Sequence, residues 1–136
     1  MSLADLAGAK TPGMGSRRGI GSNETNVMSN LHLKPNPTLA DIQQYVIDME
    51  KERGFTHQTV LEVWPLLTEE IGELAKCIRK TNTSLNTDAA KHYDFDVAGE
   101  FADILIVLSA VANRMGVDLE QAFRDKEEQN KKRVWK

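Results

Sequence analysis

Apolar residues recur at helical spacing in four blocks along this chain, and no stretch alternates apolar with polar residues for long enough to make a strand. The first block, Leu39, Ile42, Tyr45, Val46 and Met49, follows Thr38 and Asp41 at the spacing of a capping box and stops at Gly54. The second runs from about Thr56 to Arg79. Pro65 inside it removes one backbone donor and crowds the preceding turn, so a kink or break is expected there. The third covers roughly Phe95 to Met115 and ends at Gly116. Asp118, with Gln121 three residues on, caps a fourth that turns strongly charged from Arg124. The blocks predict an all-α fold, a bundle of four to five helices. The polar stretch Thr81 to Tyr93, rich in Asn, Thr and Ser, reads as the loop joining the second and third helices.

Ahead of the first block, Gly and Pro interrupt every apolar pattern, and Pro35-Asn36-Pro37 closes the segment. Residues 1–37 are therefore expected to be an irregular leader and 38–136 the folded domain. Within the leader, residues 1–27 read as a non-native extension before a natural start at Met28.

Two acidic motifs sit inside the apolar pattern. Glu69-Glu70-Ile71-Gly72-Glu73 lies in the second block and Glu100-Phe101-Ala102-Asp103 in the third. At about 100° per residue, Glu70 and Glu73 lie roughly 60° apart beside Leu66, Leu67 and Cys77, and border the core-facing stripe. Glu69 falls further round, toward the side of Lys76. Glu100 and Asp103 are also three apart, on a helix with almost no polar face. Carboxylates leaving water need a counter-charge, and neither motif contains a cation. Antiparallel pairing of the two helices would gather Glu70, Glu73, Glu100 and Asp103 around one point. Mg2+ suits such a site, with Mn2+ as a substitute, because it takes oxygen ligands, keeps waters and binds phosphates through carboxylates. Zinc is disfavoured, since no His or Cys stands at a ligand spacing with these acids.

Charge and cysteine content narrow the classes further. A net charge of -3 makes duplex nucleic acid an improbable partner. The single Cys77 excludes an intramolecular disulfide and zinc-ribbon pairs, which fits a reducing cytoplasm. The longest apolar run, Ile104 to Ala112, is too short to cross a membrane, and no secretory signal precedes it. The third helix is too apolar to be covered by three short partners, so self-association is expected, most simply as a dimer that completes the bundle. Cys77, Met49 and Met115 read as packing residues, Trp64 as core or a base-stacking ring, and Trp135 as a docking anchor.

The pattern E-E-x-x-E followed by E-x-x-D on a second helix resembles the MazG-like family of all-α nucleoside triphosphate pyrophosphohydrolases, over about Thr38 to Val134. The words Glu70-Ile71-Gly72-Glu73-Leu74-Ala75 and Ala102-Asp103-Ile104-Leu105-Ile106 carry the likeness, with a late Lys126-x-x-x-Asn130-x-x-Arg133. The resemblance implies hydrolysis of a (deoxy)nucleoside triphosphate to the monophosphate and pyrophosphate, as in nucleotide-pool house-cleaning. It implies Glu70, Glu73, Glu100 and Asp103 as metal ligands. Glu69 would be the base that orients water, a further ligand, or a group behind the ligands. Lys126, Asn130 and Arg133, aligned at i, i+4 and i+7, would grip phosphate. His57, in Phe55-Thr56-His57-Gln58, would contact the base. Alternatives are a phosphoribosyl-ATP pyrophosphohydrolase or a non-catalytic acidic helical interaction module. A di-iron carboxylate bundle is disfavoured, because none of the three His follows a Glu by three residues.

Overall fold

Thr38 starts the first helix as its sequence predicts. Its hydroxyl accepts the Asp41 N–H at 3.2 Å, and the Asp41 carboxylate accepts the Thr38 N–H at 2.8 Å, completing the capping box of α1 (Leu39–Arg53). Gly54 ends α1 with φ at 77°, a left-handed conformation that a side chain disfavours. These details come from a computed structural model that describes residues 29–82, 84 and 96–134. Most of the expected leader, most of the Thr81–Tyr93 connection, Phe95 and Trp135 lie outside the described residues. Of the leader, Leu31 packs on the core and Lys34 pairs with Asp41 at 2.9 Å, so ordered packing begins before Thr38.

The second helix, α2 (Val60–Asn82), begins four residues later than its apolar pattern suggests. Phe55 to Gln58 form a turn instead, closed by the Gln58 N–H on the Phe55 carbonyl at 3.1 Å. The Thr59 N–H and hydroxyl then donate to the Glu62 carboxylate at 2.6 and 2.8 Å. α2 continues through Pro65 without a break. Only the Leu61 carbonyl loses a partner there, and Leu61 is exposed, so water can satisfy it. Asp96 caps α3 (Val97–Arg114) by accepting the Gly99 N–H at 2.8 Å, and a side chain at Gly99 would collide with that cap. Gly116 turns the chain at φ 66°, and Asp118 caps α4 (Leu119–Asn130) through the Gln121 N–H at 2.9 Å. The Gln121 side chain reaches forward to Asp125, so this cap lacks a reciprocal arm.

Among the described residues the fold is four helices without a strand, in agreement with the all-α reading. α2 and α3 form the main pair and run antiparallel, so that Val63 and Leu66 meet Ile106 to Ala110 at one end while Cys77 meets Glu100 at the other. α1 lies against α3, and Val46, Met49, Val63, Leu67, Val107, Ala110 and Val111 form the core. Each large apolar side chain buried there contributes about 1.5–3 kcal/mol. α4 packs chiefly on α1 and buries no residue of its own.

Its attachment is polar. The buried Gln43 of α1 donates to the Asn113 side chain at 2.9 Å and the Val117 carbonyl at 2.8 Å, and accepts the Leu119 N–H at 2.9 Å. Every one of these bonds offsets the cost of burying the amide. Trp64, read as core or a base-stacking ring, is exposed, and so is Met115, expected to pack inside, whereas Met49 and Cys77 are buried as expected. No helix among the described residues is long and apolar enough to cross a membrane.

Candidate active site

Val63, Glu70 and Cys77 stand seven residues apart on the line of α2 that faces α3, and all three are buried. Glu70 is therefore an acid placed where the helix pattern calls for an apolar residue, with only 2% of its surface exposed. Across the antiparallel contact, α3 presents Glu100 and Asp103 one turn apart. One carboxylate oxygen from each of Glu70, Glu100 and Asp103 lies within 4.8 Å of the others.

The electrostatics reflect the crowding. Burial pushes the Glu100 carboxyl above the usual range, and the charges of Glu73 and Asp103 push it further. Burial likewise raises Asp103, with Asp96 adding repulsion. The Cys77 thiol, 3.9 Å from Glu100 Oε1, is raised by burial and then by the Glu100 and Glu73 charges. Three hard oxygen donors gathered this closely fit a divalent cation that prefers oxygen.

Glu73 stands apart from this trio. Its carboxylate pairs with Lys76 at 2.8 Å, although its charge is still felt by Glu100. Glu69 is exposed on the outer side of α2, as its angle predicts. The basic motif is placed elsewhere. Lys126 is exposed on α4, and Asn130 donates to Glu127 Oε1 at 2.9 Å, with its own Oδ1 buried and without a hydrogen-bond partner. α4 ends at Asn130, and Arg133 lies in the turn beyond, where its N–H donates to the Asn130 carbonyl at 2.9 Å. α4 packs chiefly on α1, whereas the three acids lie on the α2–α3 pair. A cavity of about 730 Å³ lies between the start of α1 and α4, where Thr38, Leu39, Phe123 and Lys131 line it, and none of the three acids does.

His57 is exposed on the turn before α2. That turn is held by Arg114, whose Nε donates to the Gln58 carbonyl at 2.8 Å and whose second guanidinium nitrogen donates to the Phe55 carbonyl at 3.2 Å. The same guanidinium pairs with Glu50 at 2.7 Å. Neither Arg114 nor Glu50 was singled out by the sequence reading. The one available signal was Glu50 standing four residues after Val46, on the core side of α1. The contact between Cys77 and Glu100 was also missed, although the step of seven from Glu70 points to it.

Comparison with known proteins identifies the domain that carries these helices. The model of the MazG nucleotide pyrophosphohydrolase domain matches residues 55–135, which include α2, α3 and α4. A dATP/dGTP diphosphohydrolase of Salmonella phage PMBT28 is 34% identical over 98 residues, covering 72% of this chain and 28% of the phage protein. The chain thus spans well under half the length of that relative. The dCTP pyrophosphatase 1 of Mus musculus is 32% identical over 127 residues, covering 90% of this chain and 74% of the mouse protein. Through the matched domain and the acid-bearing helix pair within it, this chain belongs to the MazG nucleotide pyrophosphohydrolase family.

Proposed function

We propose that this protein is a Mg2+-dependent hydrolase that cleaves a deoxynucleoside triphosphate to the monophosphate and pyrophosphate, as a nucleotide-pool house-cleaning enzyme of the cytoplasm. The buried trio of Glu70, Glu100 and Asp103 carries the reading. Family membership and the printed activities of the two relatives support the reaction class, and the relatives' names point to purine and pyrimidine deoxynucleotides alike. Mg2+, or Mn2+ in its place, supplies positive charge that offsets the carboxylates and the triphosphate and acidifies a bound water.

The chain's own groups divide the rest. Glu70, Glu100 and Asp103 hold the cation, and Glu73, one turn from Glu70, joins them by leaving Lys76. Glu69, exposed on the next position, orients the attacking water. His57 contacts the base from the turn that Arg114 fixes. Lys126, Asn130 and Arg133 bind phosphate once assembly brings an α4 to the trio. Self-association as a homodimer or homotetramer is consistent with that need, and with Phe101 and Leu108 left exposed on α3.

The test is a panel of natural and modified nucleoside triphosphates with Mg2+, read as pyrophosphate released. Wild type is expected to release pyrophosphate from at least one deoxynucleotide, and Glu70→Gln or Asp103→Asn to abolish it. Wild-type protein inert across the whole panel would favour a non-catalytic acidic module. Activity on added phosphoribosyl-ATP and on no member of the panel would favour the phosphoribosyl-ATP pyrophosphohydrolase.

A further inference from the structure

A triphosphate arriving at Glu70, Glu100 and Asp103 brings anion to anion, and one divalent cation offsets only part of the combined charge. A cationic side chain within reach of the trio would supply the rest. Several cations of this chain are committed elsewhere: Arg114 to Glu50, Lys51 to Asp48 on α1, and Arg124 and Lys131 to Glu120 and Glu128 on α4. Lys76 differs, because its partner belongs to the acidic motif itself. Its Nζ lies 2.8 Å from Glu73 Oε2.

Spacing sets that pair at the rim of the site. Glu70, Glu73 and Lys76 follow one another at steps of three along α2, nearly a full turn each. The next residue, Cys77, places its thiol 3.9 Å from Glu100 Oε1, and the charges of both Glu73 and Lys76 are felt there. The pair is also easily exchanged. Its side chains are 45% and 43% exposed, and exposed pairs at this spacing favour the bonded form by a factor of only about two. Lysine carries a compact ammonium on a flexible four-carbon stem, a point charge suited to phosphate. Oxygens on neighbouring positions of a Mg2+ ion stand about 2.9 Å apart. A donor already bonded to a Glu73 oxygen therefore needs only a change of rotamer to meet a phosphate oxygen seated beside it. Once Glu73 shares its charge with a divalent cation, the ammonium next to it faces net positive charge and requires a new anion. The triphosphate is that anion.

We propose that Lys76 is a substrate-binding residue that changes partners: it holds Glu73 in the resting protein, and when Glu73 turns to the cation its ammonium takes a triphosphate oxygen. This exchange rests on the metal-dependent hydrolysis proposed above and supplies a phosphate contact within one copy of the chain. Lys76 thus opposes the cation before substrate arrives and favours substrate afterwards.

Two binding measurements on the full chain test the exchange: Mn2+ alone, followed by electron paramagnetic resonance, and inorganic tripolyphosphate on Mn2+-saturated protein, followed by calorimetry. Lys76→Met is expected to bind Mn2+ about threefold more tightly than wild type, since no ammonium then competes for Glu73. The same variant is expected to bind tripolyphosphate at least tenfold more weakly, the scale of one hydrogen bond to a charged group. Lys76→Gln should shift both affinities in the same two directions, and serves if the methionine variant misfolds. Lys76→Arg, which keeps the charge, should hold tripolyphosphate within about threefold of wild type. A purely structural role would weaken both affinities together. That result, or tripolyphosphate binding unchanged in Lys76→Met and Lys76→Gln, would overturn the exchange and leave the metal-dependent reading intact. A wild type that binds no Mn2+ would remove that reading and the exchange with it.

Discussion

Replacing Arg114 with Met tests whether one buried cation ties three parts of the molecule together. The guanidinium pairs with Glu50 on α1 at 2.7 Å, with side-chain exposures of only 13% and 12%, and also holds the carbonyls of Phe55 and Gln58. Removing it leaves the Glu50 carboxylate buried without its counter-ion. Breaking one side of such a pair costs about 3–5 kcal/mol, of which the unpaired charge is the larger share. With a urea slope of about 2 kcal/mol per molar, the unfolding midpoint should fall by roughly 2 M. The double variant Arg114→Met, Glu50→Leu removes both charges and takes the guanidinium's bonds from the Phe55, Gln58 and Ala110 carbonyls, which are uncharged. It should therefore be only about 1–2 kcal/mol below wild type, and so more stable than the single variant. Urea unfolding followed by far-UV circular dichroism on all four proteins closes the cycle. A cost below about 1 kcal/mol for Arg114→Met, or a double variant equal to the sum of the singles, would refute the reasoning.

The acids make the opposite prediction about stability. Glu100 is raised by burial and by Glu73 and Asp103, so the stability it lends is present below its unfolded value near 4.5 and lost as pH rises through its folded value. At neutral pH, Glu100→Gln should raise the melting temperature of metal-free protein and abolish the further rise produced by Mg2+ in wild type; a lowered metal-free melting temperature would count against the crowding described. Thr38→Ala should cost about 1 kcal/mol by thermal unfolding, through loss of the α1 cap.

Local chemistry made the caps legible. Thr38 with Asp41, Gly54, Gly116 and Asp118 act within one turn of themselves, and each does in the fold what its spacing predicts. The trio was legible in part, because acids inside an apolar pattern are conspicuous in sequence. Glu73 departs from the expected foursome through Lys76, a neighbour three residues away whose pairing depends on side-chain rotation. Trp64 was ambiguous because α2 has two apolar faces, and a helical wheel does not say which of them is turned inward. The ion pair of Glu50 with Arg114 joins residues far apart in the chain, so no local pattern announces it. Where α4 stops was not legible either, because Lys131 to Arg133 carry no capping residue to mark the end of the helix.

The amide of Gln43 has a consequence for how the chain assembles. It reads Asn113, Val117 and Leu119 together, and α4 has no buried apolar residue to hold it otherwise. The last helix is thus fastened by a hook that exists only after α1 and α3 have met. α4 should be the final element to settle during folding and the first to open in hydrogen exchange, a late-closing arm on a core that forms without it.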